Sequence, residues 1–155
     1  MRKATIFLAF AVLSLTLAQA APSAAKSGAE LYSVCAACHQ ASGKGIPGAF
    51  PPLAGHAAEL VKADRAYPVN VVLYGLRGDI RVEGMTYKGE MPAQGSQFKD
   101  DEVAAVLNYV LSRWGNEKAL PKGFKPISAG EVKALRGKNL TPKQVHDLRT
   151  KLKLR

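Results

Sequence analysis

"CAACH", residues Cys35-Ala36-Ala37-Cys38-His39, contains the only two cysteines of the 155-residue chain and one of its three histidines. A Cys35–Cys38 disulfide would close a tiny loop and leave His39 unexplained. A redox dithiol wants a strand–helix–strand setting, and the flanking residues do not read that way. A zinc site needs four ligands, and the chain has no second cysteine pair or paired histidine to complete one. Covalent haem attachment, whose signature is Cys-x-x-Cys-His, uses all three residues.

The spacing follows from that chemistry. Each thiol adds across one vinyl group of a porphyrin to form a thioether. On a helical turn, residues 35 and 38 share one face and reach both vinyls. His39 then stands beneath the iron as the proximal ligand. The expectation is one covalently bound haem c, anchored by Cys35 and Cys38.

Thiols must stay reduced until haem is attached, and attachment occurs outside the cytoplasm. The N-terminus agrees: Arg2 and Lys3 precede a mostly apolar run, Ala4 to Leu17, and Ala18-Gln19-Ala20 is a small-x-small cleavage pattern. The run is short for a membrane span, which needs about 20 residues. Residues 1–20 read as a cleavable signal peptide, with an uncleaved anchor as the alternative, and place the protein in the periplasm.

The net charge of +10 is unevenly spread. Gly28 to Gly115 holds 8 Lys/Arg against 9 Asp/Glu, a net −1, whereas Asn116 to Arg155 holds 11 against 3, a net +8. A basic segment therefore follows a nearly neutral one. An exported protein meets little nucleic acid, so the charge points to an acidic protein or, at most peripherally, a membrane surface.

A six-coordinate electron-transfer haem takes a second axial ligand, usually Met or His. Met91 stands in "YKGEMPAQG", followed by Pro92 and bracketed by glycines, a loop able to turn and present a thioether. Met85 is the alternative, as a gap-filling apolar residue. His56 and His146 read as surface or loop residues.

Helical signals surround these positions. Ser27 and Glu30 form a capping box, with Leu31, Tyr32 and Val34 as the apolar side of the first helix. "GKGIPGAFPPLAG", residues 43–55, has three prolines and four glycines and excludes regular structure. Asn70 to Leu76 reads as a short helix ended by Gly78. Asp100, Asp101 and Glu102 open a last helix whose Val103, Val106, Leu107, Val110, Leu111 and Trp114 fall at helical spacing before Gly115. No useful alternating strand pattern occurs, so the fold class is all-α.

The order of Cys-x-x-Cys-His, Pro-rich loop, Met-Pro loop and terminal amphipathic helix resembles a class I c-type cytochrome, over about Gly28 to Gly115. The resemblance implies a small all-α fold around one haem, with the first and last helices crossing. It implies thioethers at Cys35 and Cys38, His39 as proximal and Met91 as distal ligand. Pro51, in "FPPLAG", would accept a hydrogen bond from the proximal imidazole through its carbonyl. Gln94 stands where many bacterial relatives have an aromatic shielding the haem edge. Lys99 replaces a frequent capping Ser, which leaves Asp100 as the expected cap. The phrases "GIPGAFPPLAGH" and "MPAQGSQFKDDEVAAVLNYVLSRWGN" are similar to cytochrome subunits of periplasmic dehydrogenases.

The expected function is one-electron transfer rather than catalysis, from a periplasmic dehydrogenase or respiratory complex to a terminal oxidase or another cytochrome. A haem enzyme or ligand sensor with an exchangeable sixth ligand is the alternative. Residues 21–27 read as a linker, 28–115 as the cytochrome domain and 116–155 as a basic extension. In that extension Ser128/Glu131 and Thr141/Gln144 cap two short helices. Val145, Leu148 and Leu152 would lie opposite Lys143, Arg149 and Lys151, as a solvated hairpin or an arm docking on a partner.

Overall fold

The computed structural model describes residues 25–152 and 154, so the expected signal peptide and most of the linker lie outside the described residues. The first helix, α1, spans Gly28–His39. Its capping box is formed as expected: Ser27 N–H donates to Glu30 Oε2 at 2.7 Å, and Glu30 N–H to Ser27 Oγ at 3.3 Å. Leu31 and Tyr32 are buried, but Val34 is exposed. At 3.6 residues per turn, Val34 lies about 120° from the face formed by Gly28, Tyr32 and Cys35.

That face packs against α4, Asp100–Leu111. Gly28 permits the close approach, since a Cβ there would fall 2.7 Å from Tyr109 Cβ and run into the Ala105 carbonyl oxygen. The start of α4 differs from expectation. Lys99 takes the cap position, and its N–H donates to Glu102 Oε2 at 2.9 Å, while Asp100 is already helical and its carboxylate binds Arg136 Nε at 2.7 Å. The apolar repeat runs to Trp114, yet the helix ends at Leu111 because Trp114 and Gly115 turn into left-handed backbone, with φ of 55° and 86°. This sets the Trp114 ring beside Tyr32 and Tyr109, at centroid distances of 5.0 and 5.9 Å.

Two helices lie between. The first, α2, spans Ala57–Ala63 and was not expected; it follows directly on the proline-rich loop. The middle helix, α3, spans Tyr67–Tyr74, earlier than the expected Asn70 to Leu76. Pro68 sits in its first turn, where a fixed φ favours initiation. Gly75, not Gly78, ends it with φ 76°. A Cβ on Gly75 would lie 2.8 Å from Ala93 N and clash with the Met91 carbonyl, so glycine is required for the neighbouring strand to approach.

Four short strands follow: β1 Leu76–Arg77, β2 Ile80–Val82, β3 Met85–Tyr87 and β4 Glu90–Met91. They form two antiparallel pairs, β1 with β4 (Leu76 opposite Met91) and β2 with β3. At two or three residues each, they are too short to show alternation in sequence. Glu83 and Gly84, with φ of 50° and 81°, make the tight β2–β3 turn.

After Gly115 come α5 Asn116–Ala119, α6 Ala129–Arg136 and α7 Pro142–Lys151. Both expected capping boxes form. The segment is neither a solvated hairpin nor a detached arm. Val132 and Val145 are fully buried, α6 packs on α4, and α7 packs on α3 and β1. Val145, Leu148 and Leu152 join a second apolar cluster with Tyr67, Leu76, Ile80, Val82 and Tyr87. Arg149, expected on the opposite face, is buried, because it stands one turn after Val145 and shares its side of the helix.

Candidate cofactor site

The cleft between these elements is walled mostly by apolar residues of α2, α3, α4, the strands and the proline-rich loop. Val71 and Val72 come from α3, Val106, Leu107 and Val110 from α4, and Leu76, Ile80 and Val82 from the strands. Cys35, Cys38 and His39 reach it from the last turn of α1, and Pro51 and Leu53 from the proline-rich loop.

His39 is buried, and its Nδ1 lies 2.9 Å from the Pro51 carbonyl oxygen. A carbonyl can only accept, so Nδ1 carries the proton and Nε2 keeps its lone pair. Burial pushes the imidazole below its ordinary pKa, partly opposed by the Pro51 carbonyl, so the ring is neutral near pH 7. The loop reaches this position through Gly45, whose N–H donates to the His39 carbonyl at 3.0 Å. With φ 64°, Gly45 runs so close to the Phe50 and Pro51 carbonyls that no side chain fits. Neither cysteine is in a disulfide; both reach the cleft half-buried, and burial pushes the Cys35 thiol up. Among the described residues no group of three or more His, Cys, Asp and Glu could hold a metal ion, which leaves the zinc reading without a ligand set.

The two methionines separate clearly. Met91, on β4, lines the cleft and touches both apolar clusters. Met85 is 42% exposed and faces a separate groove. Close behind Met91, Gln94 holds the place of the aromatic residue found in many relatives. It is buried, its N–H donating to the Val72 carbonyl at 2.9 Å, and Arg136 of α6 donates to the carbonyls of Gly95 and Phe98.

His56, expected at the surface or in a loop, stands in the turn before α2 but is 3% exposed and lines the cleft. His146 stays outside it, with Nε2 2.8 Å from the Asp79 carbonyl oxygen. The sequence reading also missed Tyr67 and Arg149, both of which line the cleft. Their one sequence signal was a large polar side chain on an otherwise apolar helix face. The buried nitrogens of His56 and the hydroxyl of Tyr67 have no hydrogen-bond partner. An apolar cleft bearing two thiols, a neutral imidazole, a thioether and a few unmatched polar atoms fits a flat, apolar, metal-bearing macrocycle with acidic substituents.

Such a fold, with Cys-x-x-Cys-His ending the first helix at an apolar cleft, defines a class I c-type cytochrome. The chain belongs to the cytochrome c family: the family model described as "Cytochrome c" matches residues 25–114. It is similar to a cytochrome c-552 of Thermus thermophilus, with 52% identity over 151 residues, 96% of this chain and 97% of the relative. It also matches the cytochrome c subunit of the quinone alcohol dehydrogenase of Gluconobacter oxydans, at 32% identity over 71% of this chain but 22% of that subunit. A fructose dehydrogenase cytochrome subunit of Gluconobacter japonicus is 36% identical over 70% of this chain and 22% of its own length. Family membership implies electron transfer through covalently bound haem c.

Proposed function

We propose that the protein is a periplasmic one-electron carrier holding one haem c, with thioethers at Cys35 and Cys38, His39 as proximal ligand and Met91 as distal ligand. The observation that carries this reading is the convergence of His39 and Met91 on the cleft that also holds the cysteine pair. When bound, haem supplies an iron that cycles between the ferrous and ferric states. The chain's own residues prepare that chemistry. Pro51 commits Nδ1 of His39 and so fixes the ring's orientation and its free Nε2. The valines and leucines of α3 and α4 exclude water, which lowers the reorganisation that electron transfer demands.

The proposed organisation is an exported leader (1–20), a linker (21–27), the cytochrome domain (28–115) and a basic segment (116–155) folded onto it. Lys122, Lys125, Lys133, Lys138, Lys143 and Lys151 of that segment are exposed and supply charge for docking an acidic redox partner. Donors of the dehydrogenase or respiratory-complex class, and acceptors of the oxidase or cytochrome class, fit such a carrier. Two of the relatives are dehydrogenase subunits by name, which supports the donor class.

The test is the absorption spectrum of exported protein, oxidised and reduced, with and without carbon monoxide. A sulfur–iron band in the ferric form and a reduced form indifferent to carbon monoxide are expected. Met91→Ala should keep the covalent haem, lose that band and bind carbon monoxide when reduced. Rapid carbon monoxide binding by the unaltered protein would replace this reading with that of a haem enzyme or ligand sensor.

A further inference from the structure

Met91 leaves β4 into a stretch with few ties of its own. Pro92 has no N–H to donate, and both Pro92 and Ala93 are exposed. The next backbone anchor is the Gln94 N–H, which donates to the Val72 carbonyl at 2.9 Å. Arg136 grips only the far side of the loop, at Gly95 and Phe98. One side chain bridges the gap. Gln94 Nε2 donates to the Pro92 carbonyl at 3.1 Å, and among the described residues no other group donates to that oxygen. A carbonyl only accepts, so the amide nitrogen faces Pro92 and Oε1 is turned away from it.

That Oε1 is buried and has no hydrogen-bond partner. One neutral hydrogen bond is therefore set against one stranded acceptor, and the two effects are of similar size. An apolar side chain would fill this 9% exposed position without stranding anything. The amide thus adds little to the stability of the fold as a whole. Its effect is local, because it closes the turn directly behind Met91. We propose that Gln94 is a positioning residue for Met91, a clasp that ties back the Pro92 carbonyl and slows release of the thioether from the iron. The proposal rests on the reading of Met91 as distal ligand.

For the sulfur to leave the iron, the Met91–Pro92 unit must swing away from the cleft, and the clasp must open first. Its other side is already blocked: Gly75 lies so close to the Met91 carbonyl and the Ala93 nitrogen that no Cβ fits between them. One neutral hydrogen bond on such a path corresponds to a rate change of about two- to tenfold.

The test uses holoprotein carrying Gln94→Leu and, as a control, Gln97→Leu, which alters an exposed amide of the same loop. The readouts are the rate at which saturating imidazole displaces the sixth ligand from the ferric iron, and helix melting by far-ultraviolet dichroism. Gln94→Leu should speed displacement about two- to tenfold while its helices melt no earlier than those of the wild type. Gln97→Leu should change neither. An unchanged rate, or a faster rate together with earlier helix melting, would make Gln94 an ordinary packing residue and overturn the proposal. The same acceleration in Gln97→Leu would assign the effect to the loop at large and overturn it too. Should Gln94→Leu fail to accumulate, hydrogen exchange at the Gln94 side-chain amide of the ferrous wild type decides: one Nε2 proton should exchange well behind its twin, and equal exchange overturns the clasp. A ferric wild type without the sulfur–iron band would overturn the Met91 reading itself, an outcome separate from unchanged rates in a protein that shows the band.

Discussion

Replacing Arg136 by Met tests whether the C-terminal segment holds the loop that carries Met91. The Arg136 side chain makes three hydrogen bonds: Nε to Asp100 Oδ1 at 2.7 Å, Nη2 to the Phe98 carbonyl at 2.9 Å, and Nη1 to the Gly95 carbonyl. Met keeps the apolar stem and removes all three. Buried bonds to a charged group contribute about 1.5–3 kcal/mol each. Here the Arg136 and Asp100 side chains are 34% and 27% exposed, so water replaces part of what is lost. About 1 kcal/mol per bond, or about 2–3 kcal/mol in all, is the appropriate scale. In a domain of this size that lowers Tm by about 6–15 °C. The effect should not be uniform. Tyr74 still holds α6 in the variant, its single hydroxyl proton within reach of the Leu135 and Arg136 carbonyls, so the loosened element is the loop between Pro92 and Lys99. Thermal scans would follow far-ultraviolet dichroism for the helices and the sulfur–iron band for Met91. In the wild type the two should melt together. In Arg136→Met the band should fade several degrees before the helices. Coincident melting at the wild-type temperature would refute the idea that α6 secures the distal loop.

Asn116 is fully buried; its Oδ1 accepts from Ala58 N–H at 3.2 Å, and its Nδ2 donates to the Leu53 and Val110 carbonyls at 3.0 Å each. Asn116→Ala strands the buried Ala58 N–H, whereas the Leu53 and Val110 carbonyls keep the Ala57 and Arg113 amides as donors, so it should cost about 1–3 kcal/mol in denaturant titrations. Glu131 binds Arg65 through both carboxylate oxygens, at 2.6 and 3.2 Å, and this guanidinium holds its pKa down at about 2. Its stabilisation is therefore complete above the unfolded value of 4.5 and disappears as pH falls from there through about 2. Both side chains are more than a third exposed, so Glu131→Gln should cost only about 1 kcal/mol at pH 7, with variant and wild type converging near pH 2 in chemical denaturation.

What could be read from the sequence was whatever depends on neighbours along the chain. Ser27 with Glu30, Ser128 with Glu131 and Thr141 with Gln144 are three residues apart, and each pair closes its capping box through local backbone geometry. The helix of Val103 to Leu111 follows from the spacing of its apolar residues. The Cys-x-x-Cys-His spacing likewise sets two thiols and an imidazole on one turn of α1.

The misreadings share a different cause. Lys99 displaced Asp100 as the cap because Asp100 is engaged by Arg136, 36 residues away. Gly75 ended α3 because the Met91 strand needed its space. Arg149, read on the solvent side of its helix, is buried because α7 folds back onto α3 and β1, and His56, read as a surface or loop residue, is sealed into the cleft.

The sequence by itself determined the attachment motif, the capped starts of α1, α6 and α7 and the all-α class, since these follow from local sterics and short-range hydrogen bonds. Only the tertiary structure decided that the basic segment is part of the core, which methionine lines the cleft, and which polar residues are sealed inside it. Burial depends on which distant segments meet, and a side chain's chemistry changes when water is removed from around it.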